Sequence, residues 1–427
     1  MILKEIDVAI IGAGAAGLAC AIKLHDSGIQ NIVIFERNPF LGGILRQCIH
    51  LGFGLTYFNE ELTGPQYADK LVKNIKDRNI GCRLNSMVLD ISEDKILTVS
   101  SPQDGIMKYK TRTIVFAVGC RERTRDNIEV PGTRPMGVFT AGQAQTLINL
   151  HGLKIGQKVV IQGSGDIGLI MARRLKIEGY DVIAVLETLP YLSGLIRNKV
   201  QCLDHFGIPL MLSSRIKKIC GRKRVSGVYV ETENQEQYYD CDTVLFSVGL
   251  IPELELARNL GLNIQDNSNI AVNSAFEGTK DGIFFCGNCL HINDLADNAS
   301  LEGEKAASFV AEYLRHPEVF REGLTNKLPY CECQKYSQYN NDFFYQLKDG
   351  ESLVCIICPK SCILSKGSNP CQRGKDYLSS ITSEGFSQRL TTTVLNSQEE
   401  YIPIVTKESV SIESFPEKVK ELKIKMS

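Results

Sequence analysis

A stretch of 29 residues occurs twice, at residues 8–36 and 159–187, with every key position displaced by 151. No other feature constrains the fold so strongly. The first copy reads VAIIGAGAAGLACAIKLHDSGIQNIVIFE and the second VVIQGSGDIGLIMARRLKIEGYDVIAVLE. Each opens on an apolar run, the pattern of a strand buried on both faces of a parallel sheet. Each then turns through three glycines: Gly12, Gly14 and Gly17, then Gly163, Gly165 and Gly168. The first glycine makes the tight turn, the second lets a pyrophosphate approach the backbone, and the third lets the helix pack closely on the strand. The helix N-terminus offers free N–H groups and partial positive charge to the phosphates. Glu36 and Glu187 end the second strands, where a carboxylate accepts hydrogen bonds from a ribose. Both fingerprints are unbroken, so the chain calls for two dinucleotides.

A further echo sets the topology. Residues 113–119 read TIVFAVG and residues 243–249 read TVLFSVG, each an apolar strand closing on a glycine. Each follows short alternating strands, over 81–111 and 215–242. Residues 131–157 read as the link between the halves, with prolines and glycines marking its start. The second fold therefore reads as an insertion into the first. The first resumes near Leu250 and ends in GIFFCGNCLHINDLADNASLEGEKAASFVAEYL, a strand, a turn and a helix.

Composition narrows the partners. With 43% hydrophobic and 23% charged residues, the 427-residue chain is an ordinary globular protein of two or three domains. A net charge of −1 argues against nucleic acid or anionic membrane as a partner. Each apolar run is broken well short of membrane-spanning length. The opening MILKEIDVAII lacks a basic n-region, so no signal peptide is expected. The fifteen cysteines, some in apparent core elements such as Cys20 and Cys120, are then thiols or metal ligands in a reducing cytoplasm.

Over residues 4–316 the arrangement resembles the two-dinucleotide flavoproteins of the pyridine nucleotide–disulfide reductase superfamily. The resemblance implies an α/β fold of two Rossmann-like dinucleotide-binding domains, an NAD domain inserted into an FAD domain. The late GIFFCGN resembles the second flavin motif, which usually ends in Gly-Asp; here Asn288 follows Gly287, and an amide still bonds a ribityl hydroxyl. Carried over, the resemblance implies cofactor contacts at Gly12, Gly14, Ala15, Ala16, Gly17, Glu36, Arg37, Gly43, Val88, Ala117, Gly119, Gly163, Gly165, Ile167, Gly168, Glu187, Gly249, Gly287 and Asn288. A closer resemblance runs through GGILRQCIHLGFG, TAGQAQ, GSGDIGLIMARR, SVGLIPE and CGNCLH. It is to accessory FAD/NAD oxidoreductases that accompany glycerol-3-phosphate or amine dehydrogenase systems, as in subunits of sarcosine, opine and cyanide-forming oxidases.

The superfamily's redox cysteine pair is missing. Where one type places it, after Gly-Gly, the chain has Leu45 and His50. Where the other places it, before the second fingerprint, TAGQAQ has no cysteine. Cys48 remains near the expected flavin edge, either as a thiolate or sulfenate acting with the flavin or, the favoured reading, as a packing residue. His50 and His291 are candidate donors to a reduced flavin, against an ordinary structural role. Cys286 and Cys289 form a CxxC whose helix-terminal setting could lower a thiol pKa, although the flavin motif already accounts for their position.

The tail changes character. Residues 317–349 are polar and aperiodic, a linker. LVCIICPKSCILSKGSNPCQRGKDYL then brings Cys355, Cys358, Cys362 and Cys371 within 17 residues, spaced C-x2-C-x3-C-x8-C, which is a metal site. This start resembles the opening iron–sulfur segment of molybdopterin oxidoreductases and a small family of undetermined function found beside or fused to these flavoproteins. A [4Fe–4S] cluster is preferred, with zinc the alternative. The expected boundaries are 1–120 and 249–316 for the FAD domain, 121–248 for the NAD domain, 350–412 for the metal domain and 413–427 for a charged terminal helix. The expected function is a cytoplasmic FAD-dependent NADH oxidoreductase passing electrons to the cluster or a partner dehydrogenase, with a homodimer among the expected assemblies. The alternatives are direct dehydrogenation of an amine or polyol phosphate, or a non-catalytic assembly subunit with a zinc-stapled tail.

Overall fold

The computed structural model describes residues 3–317 apart from 234 and 266–268, and nearer the C-terminus the backbone of five short strands. Residues Met1–Gly323 form one compact unit and Leu324–Ser427 another. The first unit begins with β1 (Leu3–Ile11), α1 (Ala15–Asp26), β2 (Ile32–Phe35), α2 (Gly64–Asp77), β3 (Gly81–Arg83), β4 (Met87–Ile91), β5 (Ile96–Ser101) and β6 (Gly105–Phe116). Their sheet has the order β3-β2-β1-β6-β5-β4. β1 lies between β2 and β6, parallel to both, and Val8, Ala9 and Ile10 are fully buried. That burial is why the run carries no polar alternation.

After β7 (Cys120–Glu122) the chain builds a second sheet from β8 (Val138–Thr140), α3 (Ala141–Asn149), β9 (Lys158–Gln162), α4 (Asp166–Ile177), β10 (Asp181–Leu186), α5 (Ile196–Cys202) and β11 (Leu210–Met211). An antiparallel layer of β12 (Ser214–Gly221), β13 (Val225–Thr232) and β14 (Gln235–Tyr239) follows, then β15 (Thr243–Phe246). The second sheet is parallel, in the order β11-β10-β9-β15-β8. Residues 131–157 are thus more than a link. They supply β8 and α3, and the Thr140 hydroxyl caps α3 by accepting from Gln143 N–H.

β16 (Leu250–Pro252) returns antiparallel to β7, so the two crossings between the folds lie side by side. After α6 (Glu255–Asn259), β17 (Ile264–Gln265) and β18 (Asn269–Ile270), β19 (Ile283–Phe285) pairs parallel with the last residues of β6. The chain therefore re-enters the first sheet after completing the second. α7 (Ala296–Arg315) packs along α1, so closely that a Cβ at Gly303 would sit 2.2 Å from the Ala16 carbonyl oxygen. Cys20 is buried in α1, whereas Cys120 is only half-buried.

In the second unit β20 (Phe344–Gln346), β21 (Ser352–Cys355) and β22 (Ile363–Ser365) form an antiparallel sheet, and β23 (Leu390–Leu395) pairs with β24 (Tyr401–Thr406). Among the described residues no helix is long and apolar enough to cross a membrane.

Candidate functional site: two dinucleotide cradles and their junction

The two fingerprints form the same backbone device. Gly12 donates to Phe35 O at 2.9 Å and Gly163 to Leu186 O at 2.7 Å. Their φ angles, +102° and +106°, lie where only glycine is unstrained, and a Cβ would strike the carbonyl of Ala117 or Ser247. Gly17 and Gly168 let the helix touch the turn, since a Cβ there would lie 2.1 or 2.3 Å from the carbonyl oxygen of Gly12 or Gly163. Gly14 and Gly165 face open space, and no side chain caps the helices they begin. Free N–H groups and an open approach suit a pyrophosphate in each cradle. Ala15, Ala16 and Ile167 lie in those first turns, and Ala117 and Gly119 follow β6 as Gly249 follows β15.

Glu36 directly follows β2 and Glu187 directly follows β10, and both are 5% exposed. Glu36 accepts from the N–H of Ala13 at 3.0 Å and of Asn38 at 2.8 Å. Arg37, beside it, is exposed, and Val88 lies two residues after Ser86, which donates its N–H to the Glu36 carbonyl. Glu187 has a richer shell. It accepts from Ser164 N–H (3.1 Å) and Oγ (2.6 Å), Ser193 Oγ (2.7 Å), Thr188 Oγ1 (3.2 Å) and Leu189 N–H (3.1 Å). Burial works to raise the Glu187 carboxyl, but the bonds from Ser164, Ser193 and Leu189 outweigh it and hold its pKa below the ordinary range.

A second contact repeats across the copies. The N–H of Gly42 donates to Ala13 O at 2.8 Å, and that of Gly194 to Ser164 O at 3.0 Å. Asp166, at the start of α4, ties this loop down by accepting from Leu195 N–H and Asn198 Nδ2, both at 2.8 Å. Ser164, Ser193 and Gly194 were missed by motif reasoning. The displacement of 151 that carries Ala13 to Ser164 and Gly42 to Ser193, one residue short of Gly194, was the available signal.

The two places where a redox dithiol is expected turn out to touch. A 3-10 turn at Gly43–Gln47 packs against the start of α3, the TAGQAQ segment. Gln47 Nε2 donates to Gly142 O (3.0 Å) and Gln145 Oε1 (3.1 Å), and Thr146 Oγ1 donates to Gln47 Oε1 (2.7 Å). Buried amides hold this junction. Cys48 Sγ donates to Ile44 O at 3.3 Å, and burial pushes its pKa up to about 12. A thiol so placed stays protonated near neutral pH, the form suited to packing. Leu45 is buried, and His50 is half-buried with Nδ1 2.9 Å from Leu51 O.

At the second motif Gly287 donates its N–H to Glu302 Oε1 at 2.5 Å, and Asn288 bonds Cys120 Sγ (3.6 Å) and Asn293 N–H (3.0 Å). Burial raises Glu302 to about 8, against the Gly287 bond and the charge of Lys305. His291 Nδ1 lies 3.2 Å from Glu302 Oε2. Cys286 is raised by its neighbour Cys20 and by burial, and Cys289 by burial to about 12. Both thiols thus shift opposite to the lowering that a helix terminus could offer this CxxC. In the tail, Cys355 ends β21, whereas Cys358, Cys362, Cys371 and the terminal segment 413–427 lie outside the described residues.

Known proteins agree with this architecture. The chain is 28% identical over 316 residues to an NADH oxidase of Methanocaldococcus jannaschii, covering 70% of this chain and 65% of that one. It is 24% identical over 331 residues to hydrogen cyanide synthase subunit HcnB of Pseudomonas protegens, covering 70% and 67%. The matched region thus spans about two thirds of these relatives. Thioredoxin reductase of T. acidophilum shares the fold at a TM-score of 0.62 with 22% identity, covering 72% of this chain and 98% of that one. Residues 6–303 match the pyridine nucleotide-disulphide oxidoreductase family, and with two intact dinucleotide cradles in one unit, the chain belongs to that family.

Proposed function

We propose that this oxidoreductase holds FAD in the first cradle (residues 1–120 and 249–316) and NADH in the second (121–248). It oxidises NADH through the flavin and hands the electrons to an iron–sulfur centre or a partner dehydrogenase. The observation that carries the reading is the pair of uncapped helix N-termini, α1 and α4, each behind an open glycine and beside a buried glutamate. FAD, when bound, supplies the ability to take a two-electron hydride and release single electrons.

The chain's own residues bind, orient and discriminate. Gly12, Gly14, Gly17 and Glu36 would hold the flavin nucleotide, with Gly287 and Asn288 on the ribityl side. In the second cradle the Glu187 carboxylate repels a 2′-phosphate and accepts from a 2′-hydroxyl, which favours NADH over NADPH. Leu45 and His50 stand at one dithiol position and the cysteine-free TAGQAQ at the other, so no covalent relay to external disulfides is built. Cys48 serves packing. The relative named as an NADH oxidase supports the donor, and those named as subunits of hydrogen cyanide synthase and opine oxidase support a partner of the amine-dehydrogenase type.

For the tail we propose a [4Fe–4S] cluster on Cys355, Cys358, Cys362 and Cys371, acting in the cytoplasm. Four thiolates suit iron and zinc alike, and only iron offers single electrons a destination. The test is anaerobic purification with iron, zinc and sulfide analysis, followed by rapid mixing with NADH. Flavin bleaching by NADH with four irons and four sulfides per chain is expected. Zinc without sulfide overturns the cluster, and a flavin indifferent to NADH overturns the donor.

A further inference from the structure

Between the two dinucleotide folds lies a cavity of about 110 Å³. Its walls come from Ile49 and His50, which follow the turn at Gly43–Gln47, from Gln145 and Asn149 of α3, and from Arg173 and Arg174 of α4. Several of its polar groups already have partners. Asn149 donates to Gln47 O at 2.8 Å and accepts from Arg174 Nε at 3.1 Å, and Arg174 also pairs with Glu178 at 2.6 Å. Gln145 Oε1 accepts from Gln47 at 3.1 Å.

Two groups remain. His50 Nδ1 lies 2.9 Å from Leu51 O, and because a carbonyl only accepts, Nδ1 carries the proton. Nε2 of the neutral ring is then a lone pair, and it is buried without a hydrogen-bond partner. Burial first, and the charge of Arg173 after it, hold the ring's pKa below that of an ordinary histidine, against the Leu51 bond and the charge of Asp166. Arg173 itself is half-buried and makes no hydrogen bond or ion pair with any described residue. Leaving a buried acceptor unmet is costly, and a water that satisfied the imidazole would not neutralise the arginine beside it.

We propose that this cavity binds a small organic anion that also carries a hydroxyl, the hydroxyl donating to His50 Nε2 and the anionic group pairing with Arg173. A cavity of ~150 Å³ accommodates benzene, so this one takes about six heavy atoms at most, the size of a three-carbon hydroxy acid. Its lining shares no residue with the glycine turns or the buried acids of the two cradles, and the proposal holds whichever way electrons leave the flavin.

The probe is lactate, measured by calorimetry on the FAD-loaded full chain beside propionate, which lacks the hydroxyl, and propane-1,2-diol, which lacks the charge. Lactate should bind saturably and at least about tenfold more tightly than either, a difference of about 1.4 kcal/mol. Arg173→Gln should remove the advantage over the diol, and His50→Leu the advantage over propionate. Thermal midpoint and FAD content check that the variants fold, and the three-ligand comparison on the unaltered protein stands without them. No saturable lactate binding up to about 100 mM, or binding indifferent to Arg173→Gln, overturns the site. NADH-driven flavin bleaching in the same sample reports the proposed function independently.

Discussion

Ala13 and Ser164 occupy the same place in the two fingerprints and build different surroundings. At Ala13 only backbone groups reach the buried acid: among the described residues Glu36 is held by two N–H donors. At Ser164 the hydroxyl donates to Glu187 and also accepts from Ser193 N–H at 3.0 Å, drawing the following loop onto the carboxylate. The equivalence is close enough that Asn38 and Leu189 make the same backbone bond to the two acids. What differs is who satisfies the site when no nucleotide is present. The second cradle keeps its acid hydrogen-bonded through its own hydroxyls, as suits a ligand that arrives and departs. In the first, α7 and the Gly287 turn pack against the start of α1 at Ala16, as suits one that stays.

The strongest test of this contrast is a pair of glycine substitutions. Gly168→Val pushes side-chain atoms into the Gly163 carbonyl and should lower NADH-driven flavin bleaching by roughly 100-fold or more with FAD content unchanged. Gly17→Val should instead cost FAD and much of the thermal stability. If both variants lose FAD equally, the assignment of one resident and one exchanging nucleotide is broken.

Next in size is Glu187→Gln, which keeps an acceptor oxygen and removes the charge. The NADH-over-NADPH ratio of kcat/KM should fall by about tenfold, and an unchanged ratio would move the discrimination elsewhere.

A smaller effect separates the buried acids by pH. Glu302 binds its proton more tightly in the folded protein, so its contribution to stability is present below the ordinary carboxylate range and lost as pH rises through about 8. Glu187 is depressed, so its contribution is present above the ordinary range and lost as pH falls through its lowered value. Thermal midpoints from roughly pH 5 to 9 should decline by several degrees in the unaltered protein and less in Glu302→Gln. Parallel curves would refute a neutral, buried Glu302.

The smallest effect expected is that of Cys48→Ser, with flavin reduction by NADH within about twofold of the unaltered rate. A drop of orders of magnitude would restore Cys48 to a catalytic role.

The glycines were legible in the sequence because their spacing is dictated by local backbone geometry, and β1 because a doubly covered strand tolerates no polar alternation. The Gln47–Gln145 contact was not, since it joins a turn to a helix almost a hundred positions away through side-chain amides that carry no periodic pattern. Nor was the neutral character of His50, which depends on one carbonyl and a wall of α4. The segment 131–157 read as a link because prolines and glycines crowd its start, while the Thr140 cap that turns its second half into structure is one residue among many hydroxyls.

β6 has a consequence for the order in which the molecule is made. Its final residues bond a strand that is synthesised only after the entire second sheet, with Ile283 opposite Ile114. A ribosome adding roughly 5–20 residues per second leaves that edge uncovered for on the order of ten seconds. The inserted sheet, whose strands all lie between Val138 and Phe246, can close upon itself in that interval. Maturation of this chain thus runs from the inside outward, with the inserted sheet emerging as a finished body while the first sheet is still open-sided. Slowing synthesis between β15 and β19 would lengthen the exposure of Val115 and Phe116, and aggregation during expression would rise with it.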